Sequence, residues 1–182
     1  MYAASIRLLA AAAVASWTMW ALGCSLVVDS DECSESASCV TKYGRGWQCT
    51  EDNICQRQPL VQTQEAAPCS DSAGPIDDPD AFNIGVMLPL DRSEGANRRP
   101  LLEAIKLAQD DFNELGGVDN RPIGLIICDT EGKDDIALQS ADHLVHGAGV
   151  EALIGPNFSN QAIATAVEYT VPNDVLLVTP AA

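Results

Sequence analysis

Phe82-Asn83-Ile84-Gly85-Val86-Met87-Leu88 is a short apolar run closed by Pro89. A run of this length bounded by a breaker predicts a buried strand. Downstream, Leu101, Ile105, Ala108, Phe112 and Leu115 follow in steps of 4, 3, 4 and 3, the spacing of one helix face. Glu103, Lys106, Asp110 and Asp111 fall on the other side, and Gly116-Gly117 supplies a stop. Ile123 to Cys128 is a second apolar run. Ile136, Ser140, Ala141, Leu144 and Val145 form a second helical stripe ended by Gly147 and Gly149. Ala152-Leu153-Ile154 predicts a third strand. Ala162, Ile163, Ala166, Val167 and Thr170 predict a third helix, and Val175 to Val178 a fourth strand. The order β-α-β-α-β-α-β predicts an α/β domain with a parallel sheet and right-handed crossovers over residues 82–182.

Ligands of such sheets sit beyond the carboxyl ends of the strands. Those ends are Pro89 to Gly95, Asp129 to Gly132, Gly155 to Asn160, and Thr179 onward. In the third of them, Gly155-Pro156 turns the chain and Ser159 is placed to cap the next helix. The same position would suit a carboxylate at the helix amides. The residues alone leave a simple cap and a ligand contact equally open. No G-x-G-x-x-G follows the first strand, and neither a Walker loop nor a G-x-S-x-G elbow occurs, so the signatures of dinucleotide enzymes and α/β-hydrolases are absent. Asp129 with Glu131 read as helix N-terminal charges or cleft polarity, and His143 with His146 as solvated or half-buried histidines, rather than as metal or phosphoryl chemistry.

Residues 24–81 are different material. Acids outnumber bases 11 to 3, and Ser, Gln and Pro are frequent. Such a segment cannot offset its chain entropy by apolar burial alone. Cys33, Cys39, Cys49 and Cys55 are spaced x5, x9, x5. Small exported modules of this kind are held by disulfides, and the four cysteines allow three connectivities. Zinc is disfavoured by the lack of a C-x2-C knuckle or a histidine here. Cys69 is a fifth candidate. Cys128 is either a core thiol or its partner. Pro59 to Pro79 reads as a flexible linker, and the whole of 24–81 as an acidic, Cys-rich spacer.

Residues 1–23 read as an export signal. Arg7 precedes an uncharged Ala- and Leu-rich run from Leu8 to Gly23. That run is short for a span of about 20 apolar residues and suits a signal h-region. Ala21-Leu22-Gly23-Cys24 resembles a bacterial lipobox, which implies acylation of Cys24 and a lipid anchor. An ordinary cleaved signal and an uncleaved anchor are the alternatives.

The full chain of 182 residues carries 26 acids against 10 bases, a net charge of −16. That balance argues against a nucleic-acid binder, which needs clustered Lys and Arg.

Residues 82–182 resemble the first lobe of a type 1 periplasmic binding protein of the leucine/isoleucine/valine-binding family. The resemblance rests on Ile84-Gly85-Val86-Met87-Leu88-Pro89-Leu90, on Phe112-Asn113-Glu114-Leu115-Gly116-Gly117-Val118 followed by Asn120-Arg121-Pro122-Ile123, on Ile154-Gly155-Pro156 with Ser159, and on Val178-Thr179-Pro180-Ala181-Ala182. It implies that Ser159, Ala181 and Ala182 contact an amino acid's carboxylate and amino groups, with Asn160 as a neighbour. The family often has Thr-Gly-Pro where this chain has Asp91-Arg92-Ser93, in a loop that helps set specificity. The family's second lobe is missing, which implies a fragment of a longer precursor or a truncated gene. The resulting expectation is a non-enzymatic solute-binding lipoprotein of an ABC importer, in a bacterial cell envelope at the periplasmic face or outer membrane. Its partners would be an amino-acid-like ligand, an ABC permease and the membrane, with no cofactor, metal or nucleic acid. A surface receptor's sensing domain and a surface lipoprotein remnant are the alternatives.

Cys24→Ala is expected to move the protein from the membrane to the soluble fraction. Membrane retention of the variant, together with no lipid mass on the wild-type N-terminal peptide, would overturn the lipobox reading.

Overall fold

The computed structural model describes residues 32–64, 67–90 and 98–180. The export signal at 1–23, Cys24, the loop at 91–97, Ala181 and Ala182 lie outside them. All the described residues belong to one unit, Asp31–Ala182.

The first part is a small disulfide module. Helix α1 (Ser36–Tyr43) leads into strands β1 (Trp47–Cys49) and β2 (Cys55–Arg57), an antiparallel hairpin. Its centre is sulfur: Cys33 pairs with Cys49 and Cys39 with Cys55. Cys33, Cys39 and Cys55 are buried, with Trp47 against them. The two bridges replace the apolar core that this acidic stretch cannot supply.

The second part is a sheet of five strands in the order β3-β5-β4-β6-β7. Strands β4 (Phe82–Leu88), β5 (Ile123–Asp129), β6 (Ala152–Ile154) and β7 (Leu176–Val178) are parallel, as the alternation of strands and helices predicts. Side chains alternate between the two faces. Met87, Ile126 and Cys128 join a core with Ala137, Ala141, Leu144 and Val145 on one face. Val86, Leu88, Leu125 and Ile127 pack with Leu102 on the other. Helix α2 (Arg99–Glu114) covers this second face. Helix α3 (Asp134–Asp142, continued by a wide turn over His143–Ala148) covers the first. Helix α4 (Ser159–Thr165) runs on through a wide turn, Ala166–Thr170, and a tight one, Val171–Asn173.

The sequence stripes of the helices are only partly buried. On α2 Leu102 and Gln109 are buried and the stripe residues Leu101 and Ile105 pack half-buried against the core, whereas Phe112 is 55% and Leu115 86% exposed. Polar side chains dock this helix. Gln109 Nε2 donates to the Ile123 carbonyl at 2.9 Å, while Asn113 both accepts from the Ile123 amide at 2.7 Å and donates to its carbonyl at 3.0 Å. On α4 and the wide turn after it, Ile163 and Val167 face outward, since the helix is seated through Gln161, Ala162 and Thr165.

The reading of Pro59 to Pro79 as a flexible linker is corrected. Leu60, Cys69 and Ile76 are buried in the main core. Strand β3 (Asp71–Ala73) pairs antiparallel with β5, setting Asp71 opposite Ile127 and Ala73 opposite Leu125. The Asp129 amide donates to the Pro68 carbonyl at 2.8 Å, and Cys69 is bonded to Cys128. The polar composition suggested slack chain. Backbone pairing and a covalent bridge hold it instead, and neither needs apolar side chains. The disulfide module is likewise docked on the sheet domain. Arg45 Nη1 donates to the Asn173 carbonyl. Gly149 has φ 72°, and a Cβ there would lie 2.7 Å from the Arg45 carbonyl, so the two backbones meet at a point open only to glycine.

Removing the long-range bridge with Cys69→Ala/Cys128→Ala is expected to lower stability by about 2–4 kcal/mol in urea unfolding. A change within about 0.5 kcal/mol would mean that the segment is held by β3 pairing and burial alone.

Candidate functional site

The carboxyl ends of β4 and β6 lie side by side, because these strands pair from Ile84–Ala152 to Val86–Ile154. The chain leaves β4 towards one face through α2 and returns to β6 from the other face through α3. The crevice between these two strand ends is therefore the point where the connections diverge, the usual ligand position in an open α/β sheet.

Gly155 shapes the β6–α4 loop. Its φ is 100°, and a Cβ would collide with the Met87 carbonyl, so the loop folds directly over the end of β4. The Gly155–Pro156 bond is cis. Asn157 is 5% exposed. With its amide oxygen turned toward Arg98, that oxygen accepts from Arg98 Nε and Nη2 at 3.0 Å each. Arg98 itself sits at the start of α2, its amide donating to the Pro89 carbonyl at 3.1 Å. This pair spans the crevice from one loop to the other.

Ser159 is exposed and is the first residue of α4. Phe158 occupies the capping position, with no side-chain cap, and the Ser159 hydroxyl makes no hydrogen bond among the described residues. Of the two readings left open for Ser159, the helix cap is not the one the structure shows. The chain enters its helix one residue earlier, so the hydroxyl is not consumed by the helix end. Asn160 is also exposed, but it is engaged: its Nδ2 donates to both Asp134 carboxylate oxygens at 2.8 Å. Gln161, 2% exposed, adds a bond to Asp134 at 3.1 Å. Asp134 thereby ties the first turn of α3 to the first turn of α4.

The carboxylates at the end of β5 have structural partners. Asp129 Oδ1 accepts from the Leu90 amide at 2.9 Å and the Glu131 amide at 2.9 Å, fixing the ends of β4 and β5 together. Glu131 pairs with Lys133. His143 Nε2 meets the Leu60 carbonyl at 3.0 Å, and His146 Nδ1 meets Asp142 at 2.9 Å. Of the predicted site residues, Ser159 and Asn160 stand at the head of α4, after the loop that follows β6, while Ala181 and Ala182 lie outside the described residues. Arg98 and Asn157 escaped the sequence reading. The available signal was a basic residue at the start of a helix, where the positive dipole end disfavours it.

A separate polar cleft of about 580 Å³ lies where the disulfide module meets α3 and the wide turn after α4, lined by Gln48, Gln58, Gln139, His143 and Tyr169 among others. Burial, and then Asp142 and Glu168, push the Tyr169 phenol above its ordinary range. This cleft is not at the carboxyl ends of the strands.

A family model described as "Periplasmic binding protein" matches residues 81–182. No curated protein matches the chain. Among solved structures, the branched-chain amino acid transporter substrate binding protein LivJ from Streptococcus pneumoniae, in complex with isoleucine, is 28% identical with a TM-score of 0.51. An ABC transporter substrate-binding protein from Sphaerobacter thermophilus is 27% identical with a TM-score of 0.50. Each similarity covers 56% of this chain, and the chain spans 29% and 27% of their respective lengths.

Asp134→Ala is expected to cost about 1 kcal/mol or more, because the buried Gln161 amide loses its acceptor. It should also speed hydrogen exchange in the first turn of α4. Unchanged stability and exchange would show that these bonds are replaced by water at no cost.

Proposed function

The chain belongs to the periplasmic binding protein family, and from that premise we propose that it captures a small solute bearing a carboxylate, an amino acid or a close analogue. The observation that carries the reading is the Ser159 hydroxyl. It stands exposed at the first residue of α4, after the loop that folds over the end of β4, and none of the described residues takes it as a partner. A hydroxyl in that place can donate to a carboxylate oxygen or accept from an ammonium group. Ala181 and Ala182 would complete the contact through their backbone groups after β7. Asn160, held by Asp134, would border the site and keep the loop in shape.

The mechanism is capture without covalent chemistry. Asp129 and Glu131 are committed to backbone amides and to Lys133 rather than poised for proton transfer. In the proposed full assembly a second lobe closes over the solute, the closed form gains population, and an ABC permease reads it. Acylated Cys24 would hold the protein to the envelope membrane, with the module between anchor and lobe. The solved relatives named above support the transport reading over a receptor's sensing domain, since their names describe transporter binding proteins.

Isothermal titration with the proteinogenic L-amino acids tests this. Ser159→Ala is expected to weaken the best of them by about 1 kcal/mol or more, roughly fivefold in Kd. Unchanged affinity would reduce Ser159 to a bystander, and binding of none would overturn the reading.

A further inference from the structure

Building on the amino-acid reading, we propose that Arg98 is a ligand-binding residue that selects a second negative charge, so that the solute is a dicarboxylic amino acid rather than a branched aliphatic one. The guanidinium lies across the crevice between β4 and β6, bonded to Asn157 by Nε and Nη2 at 3.0 Å each. A guanidinium has more N–H donors than those two bonds use, so others remain for a ligand. Asn157 is neutral, and its bonds orient the guanidinium without cancelling its charge.

The location makes this charge costly to keep for structural reasons alone. Arg98 occupies the capping position of the 16-residue helix α2 and Arg99 is its first residue, with no acid in the first turn. A cation there opposes the helix dipole, where an acid or a neutral cap would stabilise. The chain as a whole carries a net charge of −16, which would repel an anionic solute. A half-buried arginine at the crevice, braced by a buried amide, offsets that repulsion at the place where a dicarboxylate would dock. Arginine also recognises carboxylate in a planar, two-bond geometry that lysine cannot reproduce. Ser159 would take the α-carboxylate and Arg98 the side-chain carboxylate.

The test is titration of the whole chain with L-glutamate, L-glutamine and L-leucine, following amide chemical shifts. Glutamate and glutamine differ by one charge at nearly constant shape, so their ratio reads the charge itself. The expected result is that glutamate binds at least about tenfold more tightly than glutamine or leucine. Arg98→Gln should abolish that preference, and Arg98→Lys should restore part of it. Asn157→Ala removes the brace but keeps the guanidinium, and should retain the preference for glutamate. If glutamate binds no better than glutamine, or if Arg98→Gln leaves the ratio unchanged, Arg98 merely braces the loop and the proposal falls. Leucine binding that survives Arg98→Gln would then leave the amino-acid reading standing. Binding of none of the three probes would overturn both.

Discussion

Strand β4 is paired along all seven of its residues with β5, and along Ile84–Val86 with β6. Its polar backbone is satisfied only when both neighbours are in place, since Val86, Met87 and Leu88 are sealed from water. That pairing dictates much of the rest. Met87 must meet α3 and its companions on one face, and Val86 and Leu88 must meet α2 on the other. The two loops that leave β4 and β6 on opposite sides are thereby brought together. The crevice, the Arg98–Asn157 bridge and the exposed Ser159 are products of strand order before they are products of any local motif.

The parallel strands were legible because their continuous apolar runs have no other stable use. The helices were legible in position and less so in facing. Spacing marks one stripe on α2, of which Leu101 and Ile105 pack on the core, yet Gln109 and Asn113, two polar residues, add docking through the Ile123 backbone. The wide turns at His143–Ala148 and Ala166–Thr170 break the 3.6-residue phase on which stripe reading depends. Strand β3 was hidden for another reason: Asp71-Ser72-Ala73 pairs through backbone at a sheet edge, and composition carries no trace of that. Three cysteine pairings were open among the first four, and only the packing of α1 against the hairpin selects Cys33–Cys49 and Cys39–Cys55.

At the candidate site, the residue types were easier to read than their commitments. Asn160 looks like a free polar group in the sequence, but Asp134 at the head of another helix holds it. Ser159 looks like a cap, but Phe158 occupies the capping position. Arg98 looks like an ordinary surface base, and it spans the crevice. Each assignment depends on a partner at least 25 positions away or on a one-residue shift in a helix start. Neither is encoded in local pattern.

The docking of the disulfide module also sets a path for force. The module touches the domain where Arg45 meets Asn173 and where Gly149 admits its backbone, just ahead of β7 and β6. These are the amino ends of the parallel strands, whereas the crevice lies at their carboxyl ends. A pull on the chain ahead of Glu32 would enter a module cross-linked by two bridges and pass into the bottom of the sheet. The strap through Cys69 and Cys128 offers a second route, which enters at the penultimate residue of β5. Cys128 is paired with Met87, against whose carbonyl Gly155 is folded, so tension shared by the strap would reach the strand end on which the β6–α4 loop rests, while the route through Arg45 and Gly149 would leave that loop alone.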